Sequence, residues 1–266
     1  MGKPFLQLHL VDHCNLNCKG CAHFSPIADM WFISIEETKQ MLSALQPVME
    51  KWFCRIELMG GEPLLHPDIE KIMELTRCIY PDFEIRLVTN GLRLLAMPKS
   101  FFLSCRKNKV EICISVYPVS IDYQSVNSIL ERFDIMHRTY GDFQGNKVFI
   151  DYKLNPNGTE NSEESYKLCK HAGHCVQLRD GRIYPCFIVA YSETISSKSE
   201  YIFEISEDDY LSLELIGTDT NIDDKFKNLI YRPIPFCRYC SLSKESTCEW
   251  DYSKREVMEW ITKTYE

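Results

Sequence analysis

The stretch DHCNLNCKGC, residues 12–21, places three cysteines on one short segment: Cys14, Cys18 and Cys21. It directly follows FLQLHLV, residues 5–11, whose composition predicts a β-strand. In parallel β/α folds, the loops at the carboxyl ends of the strands carry the active site. Thiolates at such a place are soft ligands that select zinc, copper(I) or iron–sulfur clusters. The segment therefore predicts a metal or cluster site near the start of an α/β fold.

Strand and helix patterns alternate after this segment. Further strands are predicted at residues 54–59, 84–91, 110–117 and 147–154. Helices are predicted between them, the first with a capping box of Ser34 and Glu37 and the next opened by Pro67. Repeated β-α units favour a parallel sheet covered by helices, and a closed barrel of eight units needs about 250 residues. The alternation fades near residue 155, so we expect a partial (β/α)6 TIM-like barrel over residues 1–160.

Residues 161–266 have a different pattern and are predicted to form a small cysteine-rich domain. CVQLRDGRIYPC, residues 175–186, predicts a hairpin that turns at Asp180-Gly181. The acidic residues 192–227 are expected to form a surface excursion with one short helix near Asp208. SKREVMEWITKTYE, residues 253–266, predicts a helix.

Charge and cysteine content limit the class of protein. The net charge of −8 opposes nucleic acid or an anionic membrane as a partner, because both select basic surfaces. No apolar run reaches the length of a membrane-spanning helix, and no export signal precedes the first strand, so a cytoplasmic location is expected. In a reducing compartment, the 13 cysteines favour metal or cluster ligands over disulfides.

Three further motifs stand at the ends of the predicted strands in a fixed order. They are Gly60, Gly61 and Glu62 before Pro63; Thr89, Asn90 and Gly91; and Ser115 with Tyr117. Together with the C-x3-C-x2-C segment, this order resembles the radical S-adenosylmethionine (SAM) superfamily over about residues 5–155. The resemblance implies a [4Fe–4S] cluster held by Cys14, Cys18 and Cys21, whose open iron binds SAM.

The resemblance also implies roles for the strand-end residues. The Gly60-Gly61-Glu62 motif is expected to meet the amino group of the methionine moiety. Asn90 is expected at the cofactor, or it is a plain turn residue. Ser115 and Tyr117 are expected at the ribose or carboxylate, or they are ordinary strand residues. His66 is either a helix cap or a site residue.

Two features depart from the superfamily pattern. Members often have an aromatic residue before the third cysteine, where this chain has Gly20. The glycine-rich signature of the fifth strand is also absent from KVFIDYKL, residues 147–154. The residues that contact adenine are therefore not predicted. A zinc site that takes His13 or His23 as fourth ligand is the alternative for the first cysteines.

A second group of cysteines lies in the C-terminal part. Its members are Cys169, Cys175, Cys186, Cys237, Cys240 and Cys248. With Gly181 and Cys186 as a G-x4-C hairpin, the group resembles the SPASM or twitch extensions of radical enzymes, which carry auxiliary clusters. Six cysteines suit one auxiliary [4Fe–4S] cluster, held by Cys169, Cys175, Cys186 and either Cys237 or Cys240, with Cys248 as a spare. A structural zinc site is the alternative.

The resemblance implies an oxidoreductase or related radical enzyme that cleaves SAM reductively to a 5′-deoxyadenosyl radical. The radical would abstract hydrogen from a small molecule, such as a sugar, or from a peptide, for oxidation or epimerisation. A flavodoxin- or ferredoxin-type protein would supply the electron. The alternative is a non-enzymatic iron–sulfur or zinc scaffold for electron transfer. An activase that makes glycyl radicals usually carries ferredoxin-like inserts, and this sequence has none.

Overall fold

The computed structural model describes residues 2–141, 148–243 and 246–262. The strands are β1 (Phe5–His9), β2 (Ile56–Met59), β3 (Ile85–Thr89), β4 (Val110–Ser115), β5 (His137–Tyr140), β6 (Val148–Ile150), β7 (Lys153–Leu154), β8 (Cys175–Arg179), β9 (Arg182–Tyr184), β10 (Leu211–Ser212), β11 (Cys240–Ser241) and β12 (Thr247–Glu249). The helices are α1 (Ile35–Leu45), α2 (Met49–Trp52), α3 (Ile69–Ile79), α4 (Lys99–Lys107), α5 (Tyr123–Arg132), α6 (Ser162–Leu168), α7 (Phe187–Tyr191), α8 (Glu193–Ser196) and α9 (Ile222–Tyr231).

One mostly parallel sheet of eight strands organises the molecule. Its order is β10-β9-β8-β1-β2-β3-β4-β5. The strands from β8 through β1 to β5 run parallel, and β9 and β10 are antiparallel additions at one edge. The predicted α/β class with a mostly parallel sheet is confirmed. Parallel strands bring their carboxyl ends to one edge, so the motifs after β1, β2, β3 and β4 meet there.

The two faces of the sheet bury different kinds of side chain, apolar on one and polar on the other, because successive side chains point to opposite sides. Leu6 and Leu8 of β1 are fully buried in the apolar core. The alternate positions form a polar row across the strands. Gln7 of β1 aligns with Glu57 and donates to its carboxylate over 3.0 Å, and Arg86 of β3 pairs with Glu111 over 2.9 Å. This row lies below the carboxyl ends of the strands.

The helices that cover the sheet follow the sequence prediction. Ser34 caps α1 with the predicted capping box to Glu37. The apolar stripe of α3 is buried at Ile69, Ile72, Met73 and Thr76. None of the helices in the described residues is long and apolar enough to cross a membrane.

The prediction of a barrel strand over residues 147–154 is wrong for its described part. Residues 148–154 form the short strands β6 and β7, which pair with β12 and β11 outside the main sheet; Lys147 lies outside the described residues. The fifth parallel strand is β5, a polar segment at the sheet edge. Its Arg138 is anchored to Glu111 of β4 by an ion pair of 2.5 Å. Apolar content favoured the wrong segment because an edge strand needs few apolar residues.

Two predictions for the C-terminal part also need correction. Residues 192–227 do contain a short helical turn, Glu207–Asp209, but they also supply β10 to the sheet and most of α9, whose Phe226 is fully buried. The predicted helix over residues 253–266 is a single 3-10 turn, Val257–Glu259, in the described part, and residues 263–266 lie outside it. This segment instead packs against the three-cysteine loop.

The predicted hairpin over residues 175–186 is present as β8 and β9. Asp180 and Gly181 form its turn with φ of 49° and 71°, which suits a two-residue hairpin loop. The hairpin does not stand apart, because β8 pairs with β1 throughout its length. The division of the chain at residue 160 stays a prediction.

Candidate active site

The three cysteines after β1 share one cavity of about 290 Å³. Cys14, Cys18 and Cys21 all line it. Burial raises the pKa of the Cys14 and Cys21 thiols, although backbone N–H groups near each sulfur act in the opposite direction. A cation or cluster at this place overcomes such a shift because a coordinated thiol is deprotonated. Three thiols on one loop beside an open space fit a cluster that keeps one iron free.

Two glycines hold the base of this loop against the end of β2. The Gly61 N–H donates to the Val11 carbonyl over 2.6 Å, and a Cβ on Gly61 would lie 2.1 Å from the His13 carbonyl oxygen. A Cβ on Gly60 would lie 2.5 Å from the Val11 oxygen. Only glycine permits this backbone approach. Both glycines also line the cavity.

Glu62, the third residue of that motif, joins the ends of β2 and β3. Its buried carboxylate accepts hydrogen bonds from Leu64 N–H (2.9 Å), Asn90 N–H (2.9 Å) and Thr89 Oγ1 (2.7 Å). Burial raises its pKa to about 6, against the effect of these donors. Glu62 is not among the residues that line the cavity, whereas Gly60 and Gly61 are. Its contact with a cofactor stays a prediction.

The remaining strand-end residues, Asn90, Ser115 and Tyr117, line the same cavity. The Asn90 side-chain amide donates to the Asn15 side chain over 2.7 Å and lies 3.6 Å from the Cys14 sulfur. Asn90 is therefore more than a turn residue. His66 serves the local chain instead, because it contacts the Ile33 carbonyl over 2.8 Å and accepts from a backbone N–H.

The absence of an aromatic residue at position 20 has a steric cause. Gly20 has a φ of 72°, and a Cβ there would lie 3.0 Å from the Cys248 sulfur. Cys248 therefore lies beside the first cysteine loop and does not join the second group. An aromatic side chain does line the cavity nearby, since Phe149 stacks on Tyr117 with 6.1 Å between ring centroids.

A C-terminal cover, residues 247–261, packs on the three-cysteine loop. Backbone hydrogen bonds join Lys19 to Asp251 (2.8 Å) and Ser253 to Asn17 (3.0 Å). The Trp260 indole N–H donates to the Cys21 carbonyl over 3.0 Å. The cover thus fixes the backbone of the loop from a part of the chain that is remote in sequence.

Four cysteines of the second group line a small cavity of about 40 Å³: Cys169, Cys186, Cys237 and Cys240. Burial raises the pKa of the Cys237 thiol to about 11, and the pKa of Cys186 is also raised, by burial and by the neighbouring thiols. Cys175 is not among the residues that line this cavity, although it lies within electrostatic range of Cys169. Cys175 lines the first cavity, and its sulfur lies 3.4 Å from His171 Nδ1.

Neither cysteine group has the geometry of a single-ion site. Throughout the described ranges, no three Cys, His, Asp or Glu side chains converge closely enough to hold one metal ion. Cysteines around a zinc ion lie about 3.8 Å apart, from tetrahedral bonds of about 2.3 Å. The cysteines of a four-iron cubane each bind a different iron and so stand farther apart. All ligand assignments stay predictions.

A wall of four rings separates the two cavities, and no sequence motif marked it. Phe187, the residue after Cys186, has its ring centroid 5.6 Å from His23, 5.2 Å from Tyr152 and 4.8 Å from His171. Tyr152 lines both cavities. Burial lowers the pKa of His23 to about 3 and of His171 to about 4, so both rings are neutral.

Comparison with known families addresses the first site directly. Residues 8–116 match the model of the Radical SAM superfamily. The matched range contains the three-cysteine loop, the two glycines, Asn90 and Ser115. This segment belongs to the radical SAM superfamily. The superfamily predicted from the sequence is confirmed, and the match indicates an enzyme with radical chemistry.

Curated relatives resemble part of the chain. A GTP 3′,8-cyclase of Trichodesmium erythraeum is 29% identical over 37% of this chain and 30% of its own length. A GTP 3′,8-cyclase of Nautilia profundicola is 27% identical over 34% of this chain and 28% of its own length. Molybdenum cofactor biosynthesis protein 1 of Bos taurus is 30% identical over 34% of this chain and 14% of its own length. The chain thus matches less than a third of each relative.

A solved structure resembles nearly the whole chain. The crystal structure of BtrN in complex with AdoMet and 2-DOIA aligns with a TM-score of 0.55, covering 92% of this chain and 97% of that one. The identity is 12%, so the similarity establishes the fold alone.

The radical SAM segment supplies only part of the first cavity. Tyr117, Phe149, Tyr152, His171 and Phe187 line it from beyond residue 116. Arg179 secures the hairpin to the segment, since its guanidinium binds both oxygens of Asp12 over 2.5 and 2.9 Å. This ion pair joins the end of β8 to the cysteine loop. The hydrogen bonds of Asp12 with His9 and Arg179 outweigh its burial and hold its pKa well below the usual range.

Proposed function

We propose that this protein is a radical SAM enzyme that oxidises a small hydroxylated molecule. The observation that carries the proposal is the first cavity, which gathers three cysteines and the ends of four parallel strands. Cys14, Cys18 and Cys21 would hold a [4Fe–4S] cluster, with SAM against Gly60, Gly61, Asn90, Ser115 and Tyr117. When bound, the cluster supplies the electron that cleaves SAM to methionine and a 5′-deoxyadenosyl radical.

The protein residues position and shield this chemistry. The backbone contacts of Gly61 and the C-terminal cover fix the cysteine loop from two sides. Gln7, whose side-chain amide donates to Glu57, lines the sheet side of the cavity. A closed site keeps such a radical away from hydrogen-atom donors other than the substrate.

We also propose that Cys169, Cys186, Cys237 and Cys240 hold an auxiliary [4Fe–4S] cluster in a twitch-like extension. Four thiols provide a complete ligand set without an open position. All four line one cavity of about 40 Å³. A closed cluster supplies an electron acceptor, which supports oxidation over epimerisation.

Two observations support the proposed substrate class. BtrN, whose fold the chain shares, was crystallised with AdoMet and a second small molecule, 2-DOIA. The ring wall beside the cavity offers hydrogen-bonding groups next to the auxiliary cysteines. A peptide substrate is the other option, and a flavodoxin- or ferredoxin-type protein is the proposed reductant.

The test is SAM cleavage by anaerobically reconstituted protein. After reduction with dithionite, we expect 5′-deoxyadenosine by mass spectrometry from the natural protein and none from a Cys14→Ala/Cys18→Ala/Cys21→Ala variant. The matched control is Cys54→Ala/Cys78→Ala, which removes two exposed cysteines outside both groups and should retain activity.

A sample that holds both clusters and still forms no 5′-deoxyadenosine, with or without polyols or peptides, would contradict the proposal. It would favour the alternative of an iron–sulfur scaffold for electron transfer.

A further inference from the structure

The ring wall contains two buried polar atoms that have no hydrogen-bond partner among the described residues. They are the hydroxyl oxygen of Tyr152 and Nε2 of His23. Tyr152 is 5% exposed, and both side chains line the first cavity. A buried polar atom that makes no hydrogen bond is costly, so each such atom in a folded protein needs an explanation. A ligand that supplies the missing partner is one.

These two side chains belong to one surface. Both rings pack on Phe187, at 5.6 Å from His23 and 5.2 Å from Tyr152. His23 follows the first cysteine group by two residues, and Tyr152 also lines the cavity of the second group. A molecule bound between them would lie between the two cysteine sites.

The lining of the cavity narrows the chemistry of that molecule. In the described part of the chain, no Asp, Glu, Lys or Arg side chain lines it. Its polar side chains are amides, hydroxyls, thiols and imidazoles, such as Gln7, Ser115 and His171. Groups of this kind recognise hydroxyl groups by hydrogen bonds. The cyclase relatives are named after GTP, which is a triphosphate. Other proteins bind triphosphates with cationic groups and with nests of backbone N–H groups.

We propose that Tyr152 and His23 bind hydroxyl groups of the substrate, and that this substrate is a small neutral polyol. The proposal rests on the proposed function, since it places the substrate in the cavity of the radical SAM segment. It adds the residues that set specificity. Tyr152 holds the hydroxylated carbon next to the auxiliary cysteines, while His23 holds it next to the first cysteine loop.

The test compares two tyrosines that differ in one respect. Tyr152→Phe removes a hydroxyl without a protein partner, so it should fold and melt at the same or a higher temperature. Tyr166 lines only the second cavity, and its hydroxyl donates to the Ile230 carbonyl over 3.3 Å. Tyr166→Phe is therefore the matched control, which should lower the melting temperature slightly.

Binding is measured calorimetrically, without oxygen, on protein that holds its clusters and SAM. The probes are myo-inositol and glucose, with GTP as the anionic comparison. We expect at least one of the polyols to bind, about five- to tenfold more weakly to Tyr152→Phe, from the loss of one hydrogen bond. Tyr166→Phe should bind it like the natural protein, and GTP should not bind measurably.

Other results would overturn the inference. Failure of both polyols to bind, or tighter binding of GTP, would contradict the substrate class. Unchanged polyol affinity in Tyr152→Phe, with a shifted reduction potential of the auxiliary cluster, would assign the hydroxyl to that cluster. Both results leave SAM cleavage intact, whereas failure of the proposed function would abolish it in the natural protein.

Discussion

The two cysteine groups differ in how the chain assembles them. The first group lies on one loop of eight residues, Cys14 to Cys21, at the end of a buried strand. The second comes from three separate segments. Cys169 follows α6, Cys186 precedes α7, and Cys237 and Cys240 lie together on a third segment. The first faces a cavity of about 290 Å³ and the second a cavity of about 40 Å³. An open site suits a ligand that comes and goes, and a closed one suits a permanent group.

The largest effect, on iron content, is expected when a cysteine of the second group is removed. Cys237→Ala should lower iron from about eight to about four atoms per chain after anaerobic reconstitution, because it breaks a four-cysteine set. Cys175→Ala, which alters a cysteine outside that set, should keep about eight. Iron and sulfide analysis measures both. If Cys237→Ala kept its iron and Cys175→Ala lost it, Cys175 and not Cys237 would belong to the second group.

A smaller effect, on stability, is expected at Gly61, where the backbone packs closely against the first cysteine loop. Gly61→Ala would place a Cβ 2.1 Å from the His13 oxygen, so the loop must shift, at about 2–4 kcal/mol of unfolding free energy. The control is Gly181→Ala, where φ is 71° and no atom lies within 4 Å of the new Cβ. That change should cost only about 1–2 kcal/mol. Anaerobic urea denaturation measures the difference, and equal losses would mean that the approach is not tight.

The third prediction concerns Cys248, which lies beside the first group although its sequence position suggests the second. Gly20→Ala should cost about 1–2 kcal/mol from its φ of 72°, and more from contact with the Cys248 sulfur at 3.0 Å. Cys248→Ala should remove only the contact. A double-mutant cycle should therefore show a coupling of about 0.5 kcal/mol or more. Additive effects would mean that Cys248 does not contact the loop at position 20.

Local signals explain what the sequence could predict. The cysteine loop, the two glycines and the strand ends each occupy a few consecutive residues, and parallel strands bring them together by rule. The capping box at Ser34 and the stripe of α3 are equally local. The fifth strand was misplaced because His137–Tyr140 is polar, while the apolar residues 148–150 pair with the C-terminal cover.

Tertiary contacts explain what the sequence could not predict. Six C-terminal cysteines offered several sets of four, and nothing in their spacing separates Cys175 from Cys169. The separation depends on β8, which carries Cys175 into the main sheet beside Phe5. The sequence did not mark Tyr152, and it offered His23 only as a possible zinc ligand. What distinguishes both is a polar side-chain atom that has no hydrogen-bond partner among the described residues.

The C-terminal cover has a consequence for the order in which the protein matures. Trp260 contacts a residue 239 positions earlier, and Asn17 reaches a residue 236 positions later. During synthesis the cover emerges more than 200 residues after the first cysteine loop. The loop would stay open to a cluster-delivery protein until the cover docks. Insertion of the proposed cluster would then be linked to completion of the fold by contacts between residues that are remote in sequence.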